Sequence, residues 1–462
     1  MAIDVLQKIK VPVPADLFPL ALTTFEKYMV SDDCPDYPMG FVIEITLSGQ
    51  LDRERFESAL DLATRRHPLL LATISTSSHR LLWQYSNQVP TVQWYEEPDT
   101  DDSVATGYIN LRNMPGLKTV VWHETEKSRV SFLFHHAVVD GIGAMHFIGD
   151  LLAIYGQSTC ALDDRQPELS TVISSTLHQR GELYPKDSQL DHSWLRTLRH
   201  LYEFMRYYPS GIASTNSEPY VSESKSRRPF LTRVLDRSQL TTIKNEAARL
   251  NVAPNDIYIA NLFRTIKEWN QLHGRKIRKE CYRIGIPASL RTPTHDNSPA
   301  ANVLGFVFLN QPGKTIQDRD GLVQDIHKRT SQILSSTDSR LFSNFIKVGF
   351  SIPMLMSSLL KLPLRFSTAT LANVGDVKRQ LNSRFPLHKR KCIAGSVALE
   401  GLFGAAPIRK GTSVGLSLGT YTGRLLMNFN CDPTCFSRAE SEQFADLFVS
   451  NLLDHNQQLE DK

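Results

Sequence analysis

Two adjacent histidines and a nearby aspartate are the residues best suited to chemistry in this chain. His135, His136 and Asp140 are followed by Gly141, and all four come directly after an apolar stretch at residues 130–134. This order predicts a buried strand, a short turn that Gly141 allows to be tight, and then a helix. An imidazole, with an ordinary pKa of about 6.5, is the side chain best suited to accept a proton at physiological pH. The pattern indicates general-base chemistry, although two core histidines bonded to the backbone would also explain it.

The cysteines lack the partners that catalysis or metal binding requires. They stand at six positions: Cys34, Cys160, Cys281, Cys392, Cys431 and Cys435. Cys281 precedes a predicted strand but has no motif partner. Cys431 and Cys435 are close in sequence, yet no second Cys or His pair follows to complete a tetrahedral site. We therefore predict reduced thiols and no metal site.

Strand and helix patterns alternate through both halves of the chain. Strands are predicted at residues 39–47, 117–123, 129–134, 282–288, 303–309, 413–419 and 424–431. Helices are predicted at residues 51–66, 141–155, 240–250, 254–272 and 322–334. Ser437, with Glu440 three residues later, predicts a capped final helix.

The middle of the chain differs from both halves, because polar and turn residues dominate residues 157–228. We therefore expect two domains at residues 1–185 and 231–462, joined by a linker region at 186–230. The mixture of strands and helices in both halves predicts an α/β (α+β) fold class.

Composition excludes several other classes of protein. The 462 residues are 41% hydrophobic and 22% charged, with a net charge of +4, so no nucleic-acid partner is implied. No uninterrupted run of about 18 apolar residues exists to span a bilayer. The first residues lack the apolar core and cleavage site of a signal peptide, so a cytoplasmic location is predicted.

The sequence resembles the HHxxxDG acyltransferases related to chloramphenicol acetyltransferase, and His135 to Gly141 carry that motif. This superfamily includes peptide-synthetase condensation domains, alcohol and polyketide-associated acetyltransferases, and bacterial wax ester synthase/diacylglycerol acyltransferases. Further matching segments lie in the expected order at residues 254–256, 286–291, 301–306, 372–375 and 415–431. The resemblance implies two chloramphenicol acetyltransferase-like domains, each a mixed sheet with helices, facing each other across a central tunnel.

The resemblance also implies a role for each matching residue. His136 is expected to be the general base, and His135 is expected to support the site rather than the chemistry. Asp140 is expected to point away from the tunnel and to pair with Arg291, which fixes the turn. The contacts to an oxyanion or acceptor are left open among backbone amides near Gly141 and three side chains: Asn302, Asn373 and Tyr421.

The implied reaction moves an acyl group from a thioester, acyl-CoA above all, to a small alcohol or amine, with O-acyl transfer favoured. Acyl-CoA enters as a co-substrate, and no permanently bound cofactor is expected. Two alternatives stay open: a condensation-type enzyme that uses a separate acyl carrier protein, and a non-catalytic binding protein. Residues 113–117 lack the Pro-Leu-Trp motif usual in wax ester synthases, so the acyl chain and acceptor stay undefined.

Two segments allow several interpretations. Residues 384–391 are basic and could meet coenzyme A phosphates or an anionic membrane, or form a solvated loop. Residues 344–366 are strongly apolar and could line an acyl tunnel, rest on a membrane surface, or form a core helix. Peripheral membrane contact therefore stays possible as a hypothesis.

Overall fold

A computed structural model describes residues 16–454 of the chain, with internal gaps. The residues outside the description within that range are 78–79, 87, 89, 91, 97–106, 161–164, 183–201, 203, 205, 215–229, 276–278, 317, 336–340, 353 and 363. The predicted linker at 186–230 falls mostly on these residues, so its boundaries stay a prediction.

The described residues form sixteen strands and ten α-helices. The strands are β1 (Leu20–Ala21), β2 (Gly40–Gly49), β3 (Ala72–Ser77), β4 (Arg80–Tyr85), β5 (Val92–Glu96), β6 (Leu117–His123), β7 (Lys127–His135), β8 (Leu231–Leu235), β9 (Cys281–Ser289), β10 (Leu304–Pro312), β11 (Ala369–Asp376), β12 (Leu387–His388), β13 (Lys391–Ala394), β14 (Val397–Ala405), β15 (Val414–Tyr421) and β16 (Arg424–Cys431). The helices are α1 (Thr24–Asp32), α2 (Arg53–Arg66), α3 (Gly141–Thr159), α4 (Arg237–Arg249), α5 (Pro254–Leu272), α6 (Arg319–Ser335), α7 (Leu341–Ser351), α8 (Leu355–Lys361), α9 (Val377–Gln380) and α10 (Arg438–Leu453).

Two large mixed sheets organise the molecule, which confirms the predicted fold class. The first has seven strands in the order β12-β13-β14-β2-β7-β6-β5, with β5 parallel to β6. The second has six strands in the order β10-β9-β11-β15-β16-β8, with β11 parallel to both neighbours. A small sheet, β1-β4-β3, completes the topology of the described residues.

Local sequence signals fix the ends of the helices. Asp52 caps α2 by accepting a hydrogen bond from the amide of Arg55. Pro68, two residues after the last residue of α2, prevents the helix from continuing. The predicted capping box opens α10, because Ser437 and Glu440 bond to each other's backbone amides. The predicted helices and strands agree with the structure within a few residues.

The two sheets are interlaced by a strand exchange that the sequence did not predict. Strands β12 to β14 come from the second half of the chain but join the sheet of the first half, where β14 pairs antiparallel with β2. The chain then returns to the second sheet as β15. Each large sheet contributes to a separate hydrophobic core, and the exchange ties the two cores together. Among the described helices, none is both long and apolar enough to cross a bilayer.

Candidate active site

A cavity of about 290 Å³ lies between the two large sheets. One wall is formed by β2, and the opposite wall by β11, β15 and β16, with the start of α3 closing one side. The lining is mostly apolar and includes Phe41, Ile43, Met145 and Val374. His136 lines this cavity, so the residue predicted as the base borders the space between the two sheets.

Strand pairing places His136 at the edge of the cavity. Strand β7 ends at His135, which is opposite Gly40 at the start of β2. The His136 amide donates to the carbonyl of Met39 at 2.7 Å, and its own carbonyl accepts from Asn302 Nδ2 at 2.6 Å. The ring lies beside Phe41, with 4.9 Å between ring centroids. Backbone bonds on both sides therefore hold the ring without occupying its reactive nitrogens.

The imidazole of His136 is electrostatically disposed to be neutral. Only 9% of the residue is exposed, and burial lowers the pKa below the ordinary value of 6.5. The carbonyl of His136 itself and the charge of Asp140 oppose this effect without reversing it. Nδ1 is buried and bonds to no other described residue. A neutral ring can accept a proton near pH 7, whereas a protonated ring cannot.

His135 has a different environment, because both of its ring nitrogens are bonded. Its Nδ1 accepts a hydrogen bond from the Ala137 amide at 3.1 Å, so the proton belongs on Nε2. That nitrogen lies 3.3 Å from Asp33 Oδ2, and Asp33 Oδ1 accepts from the Met39 amide at 2.8 Å. His135 therefore links the turn to the start of β2. Asp33 was missed by the sequence analysis, because it lies about 100 residues before His135 and belongs to no motif.

Asp140 and Arg291 form a bidentate ion pair, with both N···O distances at 2.8 Å. The same carboxylate accepts from the amides of Gly143 and Val303, each at 2.8 Å, and caps α3. Burial alone would raise the pKa of Asp140, but Arg291 and these two amides lower it below its ordinary value. Asp140 therefore ties the start of α3 to the segment after β9 through Arg291 and to the start of β10 through the Val303 amide.

Gly141 does not have the backbone conformation for which glycine was predicted. Its backbone is not in the left-handed region, so the turn itself does not need glycine. A Cβ there would approach Val374 Cγ1 to 3.9 Å, an ordinary contact, but it would project into the cavity that Gly141 lines. Glycine at this position preserves space next to His136. Close packing is required instead at Gly143, where a Cβ would lie 2.9 Å from the carbonyl oxygen of Ala301.

Two of the three predicted oxyanion contacts lie behind the site rather than in it. Asn302 is buried and bonds to the backbone of His136, but it does not line the cavity. Tyr421 is also absent from the lining; it donates to the carbonyl of Leu399 at 2.9 Å and accepts from the amide of Cys392 at 3.0 Å. Burial raises the pKa of this phenol. Neither side chain lines the cavity, so contact of either with an oxyanion or acceptor stays a prediction.

Asn373, the third predicted contact, does line the cavity. Its Oδ1 accepts from the Gly375 amide at 2.9 Å, and its Nδ2 donates to Asn255 Oδ1 at 3.1 Å. These bonds orient the amide and leave its second N–H without a partner among the described residues.

The sequence analysis missed several polar groups in the cavity wall. Ser417 and Asn428 both line the cavity and are cross-strand partners on β15 and β16. Ser417 stands in a Gly-x-Ser-x-Gly sequence, but it lies within a regular strand rather than on the strand-to-helix turn that such a nucleophile requires. Its Oγ accepts from the Ala406 amide at 3.2 Å. A polar residue on the inward face of an apolar strand was the signal available for both positions.

The cavity also has an aromatic region with a buried ion pair. Phe306, Phe308 and Phe342 line it, and Phe342 lies 5.6 Å from Tyr28 between ring centroids. Arg409 lines the cavity, stacks on Phe366 and donates from Nε to Asp32 Oδ2 at 2.6 Å.

The two segments left open by the sequence now have positions. Phe366, at the end of the apolar segment 344–366, lines the cavity, Ile346 is in the core, and Met354 is exposed, so each interpretation fits one part of it. The basic residues Lys389 and Arg390 form the exposed turn between β12 and β13, and they do not line the cavity.

Known proteins with the same architecture identify the fold. The starter condensation domain of rhizomide synthetase, solved with C8-CoA and Leu-SNAC, matches with a TM-score of 0.65 and 12% identity, covering 94% of each chain. A trichothecene 15-O-acetyltransferase from Fusarium sporotrichioides matches with a TM-score of 0.65 and 13% identity, also over 94% of each chain. The chain has the condensation-domain fold. The predicted resemblance to chloramphenicol acetyltransferase-like proteins is thereby confirmed for the fold.

Sequence comparison gives matches to two further proteins. Cyclo-acetoacetyl-L-tryptophan synthase of Aspergillus oryzae is 22% identical over 422 residues, which is 89% of this chain and 10% of that protein. An uncharacterized protein of Mycobacterium tuberculosis is 27% identical over 143 residues, 29% of this chain and 33% of that protein. No protein-family model matches the chain. The matches therefore span a third or less of each sequence relative's own length.

Proposed function

We propose that this protein is an acyltransferase that moves an acyl group from a thioester to a hydroxyl or amine, with His136 as general base. The observation that carries the proposal is a buried imidazole of lowered pKa that lines a mostly apolar cavity between the two sheets. Since Nδ1 is sealed inside the protein, Nε2 is the nitrogen that acts on the substrate. A positioned base of this kind is worth about 10²–10⁴ in rate.

In the proposed reaction Nε2 takes the proton of the acceptor hydroxyl or amine as that atom attacks the thioester carbonyl. The new O–C or N–C bond forms, and the carbonyl electrons move to oxygen to give a tetrahedral oxyanion. When the C–S bond breaks, the electrons return to the carbonyl, and the imidazolium gives its proton to the leaving sulfur. The products are an ester or amide and a free thiol.

The developing oxyanion needs a hydrogen-bond donor inside the cavity. Asn373 offers its remaining amide N–H, and Ser417 offers its hydroxyl hydrogen, since its oxygen already accepts from Ala406. We favour Asn373, because two bonds already fix the orientation of its amide. Asp140 and Arg291 also line the cavity, although Asp140 was expected to point away from it. Because their charged groups bond to each other, we assign them to positioning the His136 turn rather than to contact with the substrate.

We further propose acyl-CoA as the donor and chains longer than acetyl as the acyl group. The apolar volume of the cavity supports the longer chain, because acetyl alone leaves most of it unfilled. The C8-CoA bound to the rhizomide condensation domain supports coenzyme A in this fold. The O-acetyltransferase activity named for the Fusarium protein supports a hydroxyl acceptor.

A condensation-type reaction with a separate acyl carrier protein is the second candidate. It is supported by the condensation domains among the structural matches, which belong to synthetases. The two candidates differ in the donor, so they are separated by comparing octanoyl-CoA with an octanoyl group on a carrier protein at equal concentration.

The test is thiol release from octanoyl-CoA and acetyl-CoA in the presence of panels of small alcohols and amines, with the product identified by mass spectrometry. We expect ester formation by the wild type, faster with octanoyl-CoA, and loss of it in His136→Ala. His388→Ala is the matched control, because His388 is exposed on β12. Near-normal turnover by a folded His136→Ala protein would remove the general-base role. Binding of acyl-CoA without turnover by the wild type would instead indicate a non-catalytic binding protein.

A further inference from the structure

Helices α7 and α8 meet at an exposed corner with an apolar surface. We define the apolar corner as Val348, Ile352, Met354, Leu355 and Leu362. Met354 is 80% exposed, and the other four are between 45% and 53% exposed. Monomeric proteins seldom expose large apolar side chains in one contiguous group unless that group binds something.

The backbone at this corner holds its most exposed side chain outward at a cost. Met354 has a φ of +61°, in the left-handed region that side chains other than glycine rarely adopt. The next residues start α8, whose Met356 turns inward and is 2% exposed. The sequence therefore buries one face of the corner and presents the other to the outside.

The charged residues within the segment that forms the apolar corner are all basic. Lys347 and Lys361 are exposed within the two helices, and residues 341–365 contain no Asp or Glu. Tyr208, 55% exposed, lies beside the corner, because its hydroxyl accepts a hydrogen bond from the Arg365 amide at 3.1 Å. Apolar side chains, lysines and tyrosines in this combination are typical of protein surfaces at the boundary between water and lipid.

We infer that the apolar corner docks on the surface of an anionic phospholipid membrane. Met354 and Leu355 enter the boundary between headgroups and acyl chains, while Lys347 and Lys361 stay at the level of the phosphates. Phe342, the second residue of α7, lines the cavity. Docking would therefore place the aromatic region of the cavity near the lipid. The inference does not depend on acyl transfer, since it rests on the outer face of the two helices.

The experiment is flotation of the full chain with vesicles of equal parts phosphatidylcholine and phosphatidylglycerol, and with vesicles of phosphatidylcholine alone. We expect the wild type to bind the anionic vesicles and to dissociate in high salt. Met354→Ser with Leu355→Ser should weaken binding about tenfold or more, since two apolar side chains lose their place in the lipid. Lys347→Gln and Lys361→Gln should each weaken it about fivefold.

The matched control is Leu272→Ser, because Leu272 is 68% exposed at the end of α5 and stands outside the apolar corner. It should bind like the wild type, and all variants should keep the wild-type melting temperature because the altered side chains are exposed. A wild type that stays unbound with both vesicle types would overturn the inference. So would undiminished binding by the Met354 and Leu355 double variant. Wild-type dimers in sedimentation that this variant abolishes, without vesicle binding, would assign the corner to a second copy of the chain.

Discussion

Two buried aspartates lie on helix α3, Asp140 at its N-cap and Asp150 in its middle, and each has an arginine and a histidine nearby. The two regions differ in whether the ring nitrogens of the nearby histidine have hydrogen-bond partners. Asp150, in the middle of the helix, accepts from Arg66 at 2.9 Å and lies 3.2 Å from His67 Nε2. Its other oxygen accepts from the hydroxyls of Ser170 and Ser383. Burial would raise the pKa of Asp150, but His67 and Arg66 lower it to about 2. His67 Nδ1 accepts a hydrogen bond from the Ala300 amide at 2.7 Å, so both ring nitrogens of His67 have partners.

At the start of the same helix, Asp140 is satisfied in the same way, but the neighbouring His136 is not. Its ring meets a cavity instead of a carboxylate. The comparison teaches that residue types do not distinguish a reactive histidine from a structural one. The distinction comes from a ring that no carboxylate occupies and that has access to space a substrate can fill.

The largest expected effect comes from replacing His136 and His67 separately with alanine. His136→Ala should lower kcat by about 10²–10⁴ with little change in melting temperature, because no other described side chain bonds to the ring. His67→Ala should lower stability by about 3 kcal/mol, because it leaves the Ala300 amide and Asp150 each short of a partner. Steady-state kinetics and thermal unfolding of both variants measure this contrast.

The contrast fails if His67→Ala keeps its stability or if His136→Ala unfolds. In the second case His136 would have to be assigned to the core, as the alternative interpretation of the sequence allowed. His136→Gln provides a less disruptive variant of similar size for the kinetic measurement.

The next effect concerns the ion pair at the start of α3. Asp140→Ala or Arg291→Ala should each cost about 3–5 kcal/mol of unfolding free energy, because the remaining charge is stranded in a mostly buried position. Both should also lose activity through displacement of the His136 turn. The double variant should be less destabilised than the sum of the two, since neither charge remains unpaired.

Chemical unfolding of the four proteins completes this double-mutant cycle. Loss of activity in Asp140→Ala at an unchanged unfolding midpoint would instead make Asp140 a direct participant in the chemistry. Additive losses would show that the two side chains act separately.

Much of the fold could be predicted from sequence, because strand and helix periodicity is local. The pair of Asp140 and Arg291 came from the family resemblance, and the structure contains it. The sequence could not choose among the candidate oxyanion contacts, and Asn302 and Tyr421 do not line the cavity, because the direction of a side chain depends on tertiary pairing. The Tyr421 hydroxyl bonds to β13 and β14, two strands that cross into the other sheet without any local signal.

The groups that the sequence analysis missed have the same explanation. Asp33 reaches His135 only after the chain has folded, and Asp32 similarly meets Arg409 from the far end of the chain. Neither aspartate belongs to a motif. Ser417 and Asn428 become a pair through the register of β15 and β16, which periodicity alone does not define.

The pH dependence of activity sharpens the comparison between His136 and the satisfied histidines. Because burial lowers the pKa of His136 below 6.5, kcat/KM should be flat at neutral pH and fall about tenfold per pH unit only below that folded-state pKa. The free energy of unfolding should also fall as the pH is lowered. The unfolded ring takes up a proton at a higher pH than the folded ring, so this contribution is full above the unfolded pKa and declines as pH falls toward the folded one.

A pH profile of initial rates, with circular dichroism at each pH to verify folding, measures this dependence. A midpoint above 6.5 would contradict the neutral, buried state of the ring. Asp140 gives a separate change at lower pH. Its depressed pKa stabilises the fold above the ordinary aspartate value, and that contribution is lost as pH falls through the folded value.

The smallest expected effect tests whether Tyr421 supports the fold or contacts the substrate. Tyr421→Phe removes the phenol hydroxyl, which leaves the Leu399 carbonyl and the Cys392 amide without this partner. We expect a loss of about 1–2 kcal/mol, seen as a fall of a few degrees in melting temperature. Turnover should stay close to wild type, because Tyr421 does not line the cavity. Calorimetry and steady-state kinetics on the same preparation decide the assignment.

If Tyr421→Phe kept the melting temperature and lost turnover, the hydroxyl would belong to the reacting site. For that outcome, the hydrogen bonds of the hydroxyl to Cys392 on β13 and to Leu399 on β14 would have to break before the reaction.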